Sequence, residues 1–96
     1  MKIYIKSNFV VPGVEDRDHV EIDRAQMTLR ELLEELQRLA APMPIEYVRP
    51  GARVLDPDDW EMDINEVPYQ KCDRELDTAL QEGDTVTIRI MALGGG

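Results

Sequence analysis

The segment from Thr28 to Ala40 leaves the chain little choice of local structure. Thr28 and Glu31 stand in the S/T-x-x-E spacing of a capping box, in which the threonine hydroxyl and the glutamate carboxylate each satisfy a backbone N–H that a helix start leaves free. Leu29, Leu32, Leu33, Leu36 and Leu39 follow at intervals of three and four, with Arg30, Glu34, Glu35, Gln37 and Arg38 between them. Met27 and Leu32 are spaced for a hydrophobic staple, and Pro42 and Pro44 forbid continuation. The pattern predicts one helix over 29–40 with a single leucine stripe. Such a stripe must be buried, and the other ordered segments have the period of strands, so its partner is a sheet.

Met1 to Val11 places Ile3, Ile5, Phe9 and Val11 on one face and Lys2, Tyr4, Lys6 and Asn8 on the other. Pro12-Gly13 and a charged stretch break the run, after which Val20 and Ile22 alternate with His19, Glu21 and Asp23. A hairpin with a long tip is expected. Residues 45–59 are poorly patterned, with a turn at Pro50-Gly51 and either a short strand or a packed loop at Val54-Leu55. Trp60, Met62 and Ile64 mark another strand, returned by Asn65-Glu66 through Val67 and Tyr69, where Pro68 confines the return to an edge. Leu76 and Leu80 suit a short helical turn, Gly83-Asp84 reverses the chain, and Thr85 to Met91 forms the last strand, with Val86, Ile88 and Ile90 facing one way and Thr87, Arg89 and Met91 the other.

The order predicts an α+β domain, a mixed sheet of four to five strands packed on one main helix. If the first and last strands lie side by side, their parallel pairing needs the helix as crossover, which is the β-grasp arrangement. With 96 residues there is room for one such domain, expected over 1–92, with 93–96 as a glycine tail. No apolar run approaches the roughly 20 residues of a spanning helix, so a soluble, cytoplasmic chain without membrane contact is expected.

A formal charge of −9 argues against nucleic acid as the main partner, since phosphate contacts need clustered Lys and Arg. It fits either a basic protein partner or plain solubility. Cys72, the single cysteine, sits among Lys71, Asp73 and Arg74 and reads as an incidental thiol, with the only histidine, His19, in a different segment. Asp56, Asp58, Asp59, Glu61 and Asp63 lack the glycine and closing glutamate of an EF-hand loop, so a solvated loop and no metal is expected. Trp60 and Tyr69 read as packing residues.

Leu93-Gly94-Gly95-Gly96 differs from everything before it. Glycines have nothing to bury and great backbone freedom, so this end reads either as an arm able to enter a narrow active site or as a frayed terminus. A terminal carboxylate becomes an electrophile only once its oxygen belongs to a good leaving group, so the arm would need an activating enzyme.

In Asp63-Ile64-Asn65-Glu66, in Leu76-Asp77-Thr78-Ala79-Leu80, in Glu82-Gly83-Asp84-Thr85-Val86-Thr87-Ile88 and in the glycine end, the chain resembles the ubiquitin-like sulfur carriers of the MoaD/ThiS type. The resemblance implies a ubiquitin-like β-grasp that is itself no enzyme and binds no cofactor. On that resemblance it would be the substrate of an adenylyltransferase related to ubiquitin-activating enzymes, which uses ATP, and would pass sulfur to a synthase of thiamine or molybdopterin biosynthesis. Gly96, preceded by Gly95, would carry the adenylate and then the thiocarboxylate, unless trimming makes Gly95 terminal. Met91, Ala92, Leu93 and Gly94, with part of the sheet's outer face, would form the partner surface, unless Leu93 instead closes the bottom of the core, and the free carrier would be a monomer. Met91-Ala92-Leu93 replaces the proline-rich approach common in molybdopterin-synthase small subunits. Two other readings share the residues: a protein modifier conjugated through the same tail, and a β-grasp interaction subunit without tail chemistry.

Overall fold

The capping box forms as the residues dictate. In the structure, a computed structural model that describes residues 1–91, the Glu31 N–H donates to Thr28 Oγ1 (3.2 Å) and the Thr28 N–H to Glu31 Oε1 (2.9 Å). Arg24 holds the other Glu31 oxygen at 3.1 Å. Helix α1 runs Leu29–Ala40. Leu29, Leu32, Leu33 and Leu36 are fully buried.

Leu39 departs from the expected stripe. It lies at the stripe's border and stays 37% exposed, while Ala40 completes the buried side. Leu39 instead packs under the hairpin tip at Gly13, where an added Cβ would come within 2.9 Å of the leucine Cβ. Gly13 also has φ of +91°, so both space and backbone call for glycine there.

The strands, in chain order, are β1 (Lys2–Ser7), β2 (His19–Glu21), β3 (Met27–Thr28), β4 (Trp60–Ile64), β5 (Val67–Pro68), β6 (Ala79–Leu80) and β7 (Thr85–Ile90). Five of them form one sheet in the order β2-β1-β7-β4-β5, and β3 pairs with β6 separately. Within the sheet only the central pair, β1 and β7, is parallel, with Ile5 opposite Val86. This is a β-grasp-like α+β fold. Register settles which residues meet the helix layer: Ile3 lies opposite Val20, Met62 opposite Ile88 and Ile64 opposite Val86, and all six join the leucines in one core.

Four local expectations are corrected. The first strand stops at Ser7 instead of Val11, because the Asn8 side chain takes over the ladder: Ile90 N–H donates to Asn8 Oδ1 (2.9 Å) and Asn8 Nδ2 donates to the Ile90 carbonyl (3.1 Å). Leu80 belongs to β6, paired with Met27, and only Leu76 lies in the 3-10 turn Glu75–Asp77. Tyr69 opens a 3-10 turn, Tyr69–Lys71, after the edge strand ends at Pro68. The last strand ends at Ile90, one residue short of Met91.

Val54-Leu55 is a packed loop in which Leu55 is buried and its N–H donates to Tyr69 Oη at 2.8 Å. The Asn65-Glu66 turn has φ of +50° and +69°, the left-handed pair that lets a two-residue loop match strand twist. Asn65 Oδ1 also accepts the Thr85 N–H (2.9 Å), tying this turn to the start of β7. Among the described residues, no helix is long and apolar enough to cross a membrane.

Candidate functional site

The residues that end β7 are held more firmly than a chain end requires. β7 lies between β1 and β4, so both of its edges are paired. Asn8 clasps Ile90 by two hydrogen bonds, and the Met91 N–H donates to the Asp59 carbonyl at 2.8 Å. The backbone is thus fixed up to Met91, whose side chain is 46% exposed. Ala92, Leu93, Gly94, Gly95 and Gly96, expected to carry the tail chemistry and its docking, lie outside the described residues.

Next to this point the sheet's outer face is polar. Arg89 spans two β4 carboxylates, Glu61 at 2.8 Å and Asp63 at 3.0 Å. Its guanidinium is held further above its ordinary pKa by the Asp63 hydrogen bond and charge, with Glu61 adding to both. Lys2, Tyr4 and His19 continue the polar surface across β1 and β2: Lys2 Nζ lies 5.1 Å from the Tyr4 ring centre, and the Tyr4 and His19 rings meet edge-on at 6.1 Å. An apolar docking patch on this face is therefore not what the residues build.

The apolar surface lies instead around Trp60. Phe9, Pro44, Ile45 and Ile90 line a groove with it, and Glu46 and Asp59 supply its charged positions. Trp60 is mostly buried, with its ring 5.8 Å from Phe9 and 4.7 Å from Tyr47, and its indole N–H donates to the Glu46 carbonyl (3.1 Å). Alternation put Phe9 and Trp60 on the inner face, which is correct. It could not show that Phe9 stays half-buried beside a buried Trp60, because that depends on how residues 44–46 pass the end of the sheet.

Tyr47 is 2% exposed, and its hydroxyl meets no hydrogen-bond partner among the described residues. Burial pushes its pKa up to about 12 from 10.0. The folded state thus keeps this proton where the unfolded chain loses it, so the tyrosine's contribution is intact below pH 10 and declines toward pH 12. Tyr47→Phe is expected to gain about 1 kcal/mol at neutral pH by removing an unpaired buried hydroxyl. It should also lose less stability than wild type between pH 10 and 12. Urea denaturation of both proteins at the two pH extremes checks this.

The remaining candidates do not converge. Cys72 follows the β5 edge, and its thiol is pushed up by burial and then by the Asp73 charge, which disfavours a thiolate. His19 sits on β2 at the opposite edge, bonded to Asp18 at 2.9 Å. Of the acidic run, Glu61 and Asp63 are committed to Arg89, while Asp56 Oδ1 accepts the Asp58 N–H (3.0 Å) within its own loop. Tyr69, 1% exposed, is a packing residue.

No protein-family model matches the chain, and none of the curated proteins does. Among solved structures it is similar to the solution structure of the Haloferax volcanii HVO 2177 protein, with a TM-score of 0.63 and 18% identity over 99% of this chain and 87% of that one. At that identity the likeness is one of fold, and it agrees with the β-grasp-like strand order.

Proposed function

We propose that the chain is a ubiquitin-like sulfur carrier of the MoaD/ThiS type that works through the carboxylate of Gly96. One observation carries the reading. A central strand held on both edges up to Ile90, with Met91 tied to Asp59, is followed in sequence by Ala92-Leu93-Gly94-Gly95-Gly96. Launching a side-chain-free segment from the rigid middle of a sheet gives a partner's active site a fixed base to grip and a thin arm to receive. The resemblance of the Gly-Asp-Thr-Val strand and the glycine end to that family supports the same reading.

The chemistry follows from the carboxylate. In the active site of a partner adenylyltransferase, a terminal carboxylate oxygen attacks the α-phosphorus of ATP and pyrophosphate leaves. Hydrosulfide then adds to the carbonyl carbon of the acyl-adenylate, the bond to the AMP oxygen breaks, and a thiocarboxylate forms with release of AMP and a proton. A sulfur-accepting synthase takes the sulfur onward. Gly96 has no Cβ to crowd either attack.

Incubating the natural protein with ATP, hydrosulfide and the adenylyltransferase of its own organism tests the proposal. Intact mass is expected to rise by the exchange of one oxygen for one sulfur, located on Gly96 by fragmentation. No exchange with an enzyme that demonstrably forms adenylate defeats it, as does a natural protein that continues past Gly96.

A further inference from the structure

A groove lies beside the end of β7, lined by residues the proposed tail chemistry does not use. Phe9, Ile45 and Ile90 are left half-buried along it, and Pro44 is exposed. Its two charged lining residues, Glu46 and Asp59, are both exposed carboxylates, and no lysine or arginine lines it. Arg49 reaches Glu46 only at 3.7 Å, in an exposed contact that offsets little of this charge.

We infer that this groove seats an aliphatic or aromatic side chain flanked by arginine or lysine, presented by a partner protein. Three features point to that occupant. Among the described residues nothing covers these apolar walls while the outer sheet face is polar, the combination that marks an interaction surface. The rim is complementary to basic flanks and repels acidic ones, in keeping with the chain's net charge of −9. The groove is also continuous with the tail's base, because Ile90 lines it and Asp59 both lines it and holds the Met91 N–H. The inference goes beyond the carrier reading and does not require it.

Trp60 is the only tryptophan in the chain, so its emission reports on this groove. The full-length protein is titrated with three peptides: acetyl-Arg-Leu-Phe-Arg-amide, the same peptide with glutamates for arginines, and acetyl-Arg-Ser-Ser-Arg-amide. The first is expected to shift Trp60 emission saturably and to bind at least about tenfold more tightly than either of the others. Glu46→Lys combined with Asp59→Lys, both at exposed positions, should reverse the preference between the charged peptides while far-UV circular dichroism stays unchanged. Ile45→Ser should weaken the first peptide by about tenfold. Equal binding of the serine peptide would reduce the effect to bulk charge and overturn the inference. So would equal binding of the acidic peptide, or no emission change with any of them. Sulfur exchange on the wild-type protein is scored separately, so failure of one proposal leaves the other standing.

Discussion

Deleting Gly95 and Gly96 is expected to abolish sulfur loading, cutting the exchange rate by at least about a hundredfold, while the urea midpoint stays where it was. The two halves of this result rest on different parts of the molecule. Removing two residues withdraws the acyl carbon by up to about 7 Å from a site built around the longer arm, and misplacement of even about 1 Å can cost a hundredfold. The described fold, by contrast, is complete by Met91, where Asn8 and Asp59 secure the last backbone groups. Deleting Gly96 alone separates the two possible acceptors. If Gly96 bears the sulfur, the single deletion impairs loading; if trimming normally exposes Gly95, it has no effect. A doubly truncated protein that loads at the wild-type rate would show that neither Gly95 nor Gly96 is needed as the acceptor.

Leu36→Ala is the second large effect, a loss of about 3 kcal/mol within the ~2–5 kcal/mol range seen when buried leucines are truncated. Leu36 is fully enclosed on the helix face that meets the sheet, and the cavity left behind has no water-accessible side through which to collapse. Against a total stability of ~5–15 kcal/mol for a domain of ordinary size, this is a substantial fraction. It should appear as a lower urea midpoint with an unchanged slope. Leu39→Ala provides the contrast, with an expected cost of about 1 kcal/mol or less because that side chain is part-exposed and touches the hairpin tip. Equal costs at the two positions would mean that the leucine stripe is buried evenly after all.

What could be read from residues alone divides along physical lines. The helix came out with both ends correct because its signals are local: a Thr28–Glu31 capping box, a stripe at intervals of three and four, and prolines beyond Ala40. The sequence leaves adjacency of the first and last strands as a condition; the structure meets it, and the helix serves as the crossover that their parallel pairing needs. The first strand was drawn too long because Phe9 and Val11 continue its alternation, and nothing in periodicity announces that an asparagine side chain will replace the ladder at position 8. Leu80 looked helical because it lies four residues after Leu76, whereas its partner, Met27, is distant in sequence.

At the candidate site the sequence offers chemistry, on residues 92–96 that lie outside the described ones, and no surface. The glycine end and its possible acyl activation follow from composition at 93–96. The groove beside Trp60 does not, because alternation reports which way a side chain points and says nothing of how far the core extends over it. Phe9 and Trp60 point inward as expected, yet the groove they help form is open. Conversely, the outer face is occupied by the Arg89 fork and its carboxylates, a pairing across strands that a linear reading of β4 and β7 does not reveal.

The parallel pairing of β1 with β7 has a mechanical consequence. The two strands carry the opposite ends of the described chain and run the same way, so tension applied to those ends slides one strand along the other. Under that load, the hydrogen bonds of the pair share the force together instead of parting one after another. A threading motor pulling on the tail must therefore extract the innermost strand of the sheet before anything else yields.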